Sequence, residues 1–188
     1  LDPTLNVDTG LFIDPLLLTR SRHTEINKNA RATYEKHFLT VISLLKKTKS
    51  SQDVAWRTAQ KFLSFPEIKG TCLGFGAESV SGSGSGARMT GQLMQTAHEI
   101  VALGVEDPDL FVAMALFEDG FGPDRISDMT ANIIFGDLVE FNNRILTELG
   151  VPRRMFEIES QTGSRYDANL PVNPYVRGGA PVILVPAD

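Results

Sequence analysis

Residues 24–47, TEINKNARATYEKHFLTVISLLKK, decide the fold class. Apolar side chains recur at Ile26, Ala30, Tyr34, Phe38, Val41, Ile42 and Leu45. Steps of three and four line one face of a helix and no face of a strand. The spacing predicts about six helical turns with one buried stripe, opened by Thr24 as N-cap. Lys46, Lys47 and Lys49 fall at its end, where cations suit the negative pole of the helix dipole.

The same period continues outward in both directions. Ser51 is expected to cap a second helix with Val54, Ala55, Ala59, Phe62 and Leu63 inward and Pro66 as its stop. Met89, Leu93, Ala97, Ile100 and Val101 mark a third, closed by Gly104. Asp107 and Pro108 supply an N-cap and an N1 proline for a fourth, through Phe117. A fifth runs to Leu149 with Ile126, Met129, Ile133, Ile134, Leu138, Phe141, Ile145 and Leu146 apolar, and Gly150 ends it. Before the first helix, Asp-Pro turn signals and the anchors Leu11–Ile13 and Leu16–Leu18 read as an extended arm that docks on the body. Residues 71–75 read as a short strand. Beyond Gly150 the chain becomes proline-rich, with expected strands at Met155–Ile158 and Val182–Val185 and a polar loop between them. The expected organisation is an arm at 1–22, a helical body with a glycine hairpin at 23–150, and a β-containing extension at 151–188. The fold class is α+β, mainly α, with about five helices and a small β element near the C-terminus. A buried strand so close to Asp188 carries the expectation that the native chain continues.

Composition narrows the function classes. The 188 residues are 42% hydrophobic and 22% charged, globular proportions that exclude a disordered or fibrous chain. A single cysteine, Cys72, allows no internal disulfide and suits a cytoplasmic location. No apolar run approaches the roughly 18 residues of a membrane span. His23, His37 and His98 are dispersed and Cys72 has no partner cysteine, which argues against a zinc motif. The net charge of −5 hides an asymmetry: residues 20–69 hold eleven Lys or Arg against four acids, and residues 99–140 hold ten acids against one Arg. A basic first half could meet nucleic acid. The two halves could equally attract each other, within one chain or between subunits.

Four local patterns bear on chemistry. In the stretch from Leu116 to Ile126, Gly120-Phe121-Gly122 lies between two helical patterns. It resembles a helix-hairpin-helix, whose backbone N–H groups meet a nucleic-acid phosphate, with Arg125 close by. The acids around it oppose such a contact. Asp119, Asp124 and Asp128 could instead hold Mg²⁺, or Asp124, Ser127 and Asp128 could simply cap the fifth helix. Glu67-x-Lys69 has the form of a metal-nuclease pair, a carboxylate for the metal and a lysine for the attacking water. Composition alone supplies about one such pair in a chain like this, and solvated surface is the plainer reading. The glycine-serine tract 81–86 precedes a helix, where Gly84, Gly86 and Arg88 could form an anion nest, or only a surface loop.

The block EDGFGPDRISDMTANII at 118–134, with Leu73-Gly-Phe75, the glycine-serine tract and PVILVP at 181–186, carries a resemblance. From about residue 60 the chain resembles the amino-terminal part of uncharacterised bacterial, phage-defence-associated proteins. Longer members of that family carry a later PD-(D/E)xK nuclease-like segment with a Glu-x-Lys strand. The resemblance implies a non-catalytic front module of a nuclease-like protein. It transfers no catalytic residue, because that signature would lie beyond Asp188.

Three functions remain in play. The first is a recognition or assembly module, with no cofactor, that meets nucleic acid through the basic region, including Lys46, Lys47 and Lys49. The second is a Mg²⁺-dependent phosphodiesterase built on Asp119, Asp124 and Asp128 with Glu67 and Lys69. The third is a structural homo-oligomer.

Overall fold

The computed structural model describes residues 5–6, 9–66, 68, 70–73, 85–109, 122–159 and 165–188. The stripe at 24–47 forms as expected, in two parts: a π-helical stretch Glu25–Ala30 runs without interruption into α1, Arg31–Lys47. Tyr34, Phe38 and Val41 on its inner face are wholly buried. Helix α2 spans Val54–Phe62, and its cap is Asp53 rather than Ser51. The Asp53 carboxylate accepts the Trp56 N–H at 2.7 Å and the Lys49 N–H at 2.7 Å, so one side chain closes the turn and starts the helix.

Helix α3 covers Ser85–Ala102, so the last residues of the glycine-serine tract are helical rather than looped. It ends as expected at Gly104, whose φ of +82° suits glycine alone. The Gly104 and Val105 N–H groups return to Val101 and Ile100. Asp107 accepts the Asp109 N–H at 3.0 Å, as an N-cap does, but the rest of the expected fourth helix lies outside the described residues.

The expected fifth helix is two. Helix α4, Pro123–Ile133, and helix α5, Phe135–Glu148, meet at Ile134, whose ψ of 16° departs from helical geometry. Buried Asn132 fastens the end of α4 by donating to the Pro66 carbonyl at 2.6 Å. At the start of α5, Gly136 leaves room for the Tyr166 ring, which would lie 3.3 Å from any Cβ there. Helical periodicity survives such a break because both segments face the same core. Gly150 ends α5 with the predicted glycine stop, its N–H on Thr147 and that of Val151 on Leu146.

The mainly helical α+β class holds, but its β part is redistributed. Strand β1, Arg154–Glu159, pairs antiparallel with β2, Arg165–Leu170, inside what the sequence suggests is a polar loop. The short β3, Val172–Asn173, pairs with β4, Ala180–Pro181. Val182–Val185 is not a strand. It is an extended, largely buried segment whose backbone bonds go to Pro171, Gly70 and the side chain of Asn142. Of the strand expected at 71–75, residues 74–75 lie outside the described residues; within 71–73 Leu73 makes a bridge to Thr9, and Cys72 lies in a left-handed conformation at φ +53°.

The arm docks as expected, though not fully extended: Pro15–Arg20 is a 3-10 helix capped by Asp14. Ile13 and Leu18 enter the main core, which gathers the arm and α1 to α5. A smaller core joins Phe135, Val139 and Leu146 of α5 to Ala168, Leu170 and Ile183. Arg144 of α5 grips the π-helical stretch, donating to Glu25 at 2.5 Å and meeting His23 Nδ1 at 3.1 Å. That guanidinium holds the Glu25 carboxyl below the usual range.

Candidate nucleic-acid interface

Burying one stripe of α1 leaves its opposite face in water. Lys36, Leu39, Ser43, Lys46 and Lys47 are exposed there, within an arc of about 100° at 100° per residue. Lys28 is exposed just before it. His37, half a turn inward, shares a 3.0 Å hydrogen bond with the Phe62 carbonyl. That contact sets the end of α2 beside the first half of α1, so the two helices form an antiparallel hairpin. Arg57 and Lys61 then add their charges from the exposed side of α2. Along α1, Lys36 and Lys47 lie about 16 Å apart, at about 1.5 Å per residue.

Among the described residues, two cations of the basic region pair with acids of the same chain. Arg31 pairs with Glu35 at 2.8 Å and with Asp109 at 3.1 Å, and Lys46 pairs with Glu106. The attraction between the basic and acidic regions therefore exists inside one chain, at these two points. Lys28, Lys36, Lys47, Lys49, Arg57 and Lys61 make no ion pair among the described residues.

Aromatic rings pack on the inner side of the hairpin. The His37 ring lies among Phe38, Phe62 and Phe65, with centroids 5.2 to 6.0 Å away. Burial pushes its imidazole down to about 4, against the opposing effect of the Phe62 carbonyl. His37 is thus neutral at pH 7 and adds no charge to the face. Trp56 packs edge-on against His98 of α3 at 5.6 Å.

The other expected site residues fall elsewhere. Glu67, Lys69, Gly84, Asp119 and Gly120 lie outside the described residues. Gly86 and Arg88 are exposed in the first turns of α3. Gly122 is the N-cap position of α4, exposed, with φ −85°, so this glycine does not use the left-handed freedom expected of a phosphate hairpin. Asp124 occupies the first turn, where an acid complements the dipole. Ser127 does not cap: its Oγ accepts the Ile13 N–H at 3.0 Å and anchors the arm. Asp128 faces Arg125 at 3.9 Å. Among the described residues no three His, Cys, Asp or Glu side chains gather as a metal site requires. No helix among them is long and apolar enough to cross a membrane.

Sequence reasoning singled out the lysines at the end of α1 but not Lys28, Lys36, Arg57 and Lys61, which are exposed on the same helical hairpin. The signal was available for Lys36 and Lys47: both lie in the outward phase of the period that fixes the core. The antiparallel pairing that brings in α2 was not.

No curated protein and no solved structure matches the chain. A family model, described as a domain of unknown function (DUF8370), matches residues 1–188, and the chain belongs to that family.

Proposed function

We propose that the chain is a non-catalytic recognition module of a nucleic-acid-processing protein, which contacts phosphate backbone through the outer face of the α1–α2 hairpin. The observation that supports this reading is the set of six cations, Lys28, Lys36, Lys47, Lys49, Arg57 and Lys61, that make no ion pair among the described residues and lie along one helical hairpin. On the same hairpin, Arg31 and Lys46 of α1 do pair with Asp109 and Glu106, so the six are the cations that remain.

The chemistry of the face favours backbone contact over base readout. Among the described residues, the one largely exposed aromatic side chain is Tyr175, in the C-terminal extension, so the hairpin offers no stacking platform. Binding is therefore sequence-independent and dominated by counterion release. A net charge of −5 works against long-range attraction, which keeps the affinity modest.

The test is fluorescence anisotropy with a labelled duplex at low salt. The triple variant Lys36→Glu, Lys47→Glu, Lys61→Glu is expected to weaken binding by at least about tenfold. Arg125→Ala, which removes a side chain already facing Asp128, should leave it unchanged. Equal binding by the triple variant and the parent chain would sink the proposal.

A further inference from the structure

The turn that returns β3 to β4 carries the most exposed aromatic side chain among the described residues. Tyr175 leaves 69% of its surface in water, and Val176 and Arg177 beside it are exposed as well. The backbone under this ring is pinned from both ends. Buried Asn173 donates to the Leu5 carbonyl at 2.7 Å and accepts the Tyr175 N–H at 3.0 Å. The Gly179 N–H closes on the Val176 carbonyl at 2.9 Å, with Gly178 and Gly179 in the left-handed region at φ +88° and +77°. A Cβ at Gly179 would meet Val172 Cγ1 at 2.8 Å, so the turn lies tight on its own strand. A tyrosine held out in this way offers contact area at a small entropic cost.

The charge around the ring decides its partner. Arg177 stands in the middle of the turn, and Arg154 reaches it from β1, donating to the Gly179 carbonyl at 3.4 Å. The Arg154 guanidinium also lies over the Phe156 ring at 4.6 Å, which steadies it. Neither arginine makes an ion pair among the described residues. No Asp or Glu occurs from residue 168 to residue 187, and Leu170 faces Arg154 across the sheet. Neither the turn nor the position opposite Arg154 therefore supplies a carboxylate. A flat ring between two uncompensated guanidinium groups matches a base with its phosphates. Duplex DNA hides its base faces in the stack, whereas an unpaired strand presents them. An acidic peptide would meet the arginines but has no flat face for the ring.

We propose that this turn binds unpaired nucleotides, Tyr175 stacking on a base and Arg154 and Arg177 meeting the adjoining phosphates. The site shares no residue with the α1–α2 hairpin. It rests on the nucleic-acid reading for the class of partner, and adds single strands to what the chain recognises.

The experiment is fluorescence anisotropy on the 188-residue chain with a labelled oligothymidylate of about ten nucleotides, beside the labelled duplex. Tyr175→Ala is expected to weaken the oligothymidylate about tenfold, and Tyr175→Phe, which keeps the ring, by less than about twofold. Arg177→Ala should weaken it about threefold at low salt and by less as salt rises. Duplex affinity should be unchanged in Tyr175→Ala, which also shows that the variant is folded. Oligothymidylate binding indifferent to Tyr175→Ala would overturn this inference and leave the hairpin reading standing. An equal loss in Tyr175→Phe, or displacement by polyglutamate as effective as by unlabelled oligothymidylate, would overturn it too. Binding of neither nucleic acid would overturn both.

Discussion

The helical body and the C-terminal extension are held together by different physics. In the body, Tyr34, Phe38, Val41 and Leu45 of α1 meet Leu93, Met94 and Ala97 of α3 and Ile126 and Met129 of α4 in one apolar core. Its strength is area removed from water, spread over many side chains. The extension has less such area, a smaller core in which Ala168, Leu170 and Ile183 meet α5. Its last segment is fastened by single polar clamps: Asn142 to the Leu184 backbone at 2.8 and 2.9 Å, Ile183 N–H to Gly70 at 2.8 Å, and Ser21 and Arg22 to Asp188. Asn173 adds another, donating to the Leu5 carbonyl at 2.7 Å. A periodic core tolerates the loss of a contact by degrees. A clamp fails whole, and leaves buried backbone groups unpaired.

That contrast can be broken from the body's side first. Phe38→Ala removes a wholly buried ring, and should cost about 3–5 kcal/mol in denaturant unfolding. From the other side, Asn142→Ala strips both partners from the Leu184 backbone and should cost about 2–3 kcal/mol. Proteolysis or hydrogen exchange should place its first effect in residues 180–188, whereas Phe38→Ala loosens α1, α3 and α4 together. Uniform loosening by both variants would erase the distinction.

The pH dependence sharpens it. His37 in the body has its imidazole pushed down to about 4 by burial, from an ordinary value of 6.5. The unfolded chain therefore takes up this proton first as pH falls. Stability is full above about pH 6.5 and declines as the pH drops towards about 4. In His37→Phe this part of the acid sensitivity should vanish from the melting curve, and its persistence would place the proton elsewhere.

What the sequence disclosed follows the same division. The stripe from Ile26 to Leu45, the glycine stops at Gly104 and Gly150 and the mainly helical class are local or periodic features, and each appears where expected. The break at Ile134 did not show, because α4 and α5 keep one apolar phase across it. Val182–Val185 looked like a strand because a buried extended segment needs the same residues. Its hydrogen bonds come from Asn142 and from distant backbone, which no local pattern reports. The candidate interface was half legible: Lys46, Lys47 and Lys49 stand out as a run, while Lys36 and Lys61 join only once the hairpin closes. The turn around Tyr175 passed as part of a polar loop, since neither the pairing of β3 with β4 nor the reach of Arg154 to Gly179 is a local feature.

The smallest expected effect on stability is at the hairpin face. Lys36→Glu, Lys47→Glu and Lys61→Glu are solvent-exposed changes, each expected to shift unfolding by no more than about 0.5 kcal/mol. Their effect belongs to binding alone. The most direct test of the central claim is therefore the salt dependence of duplex DNA binding by the 188-residue chain. If four or five of these six cations neutralise phosphates, the logarithm of the binding constant should fall against the logarithm of salt with a slope of about −3 to −5. It should flatten in the triple variant. A slope near zero, or one the triple variant leaves intact, would contradict the account.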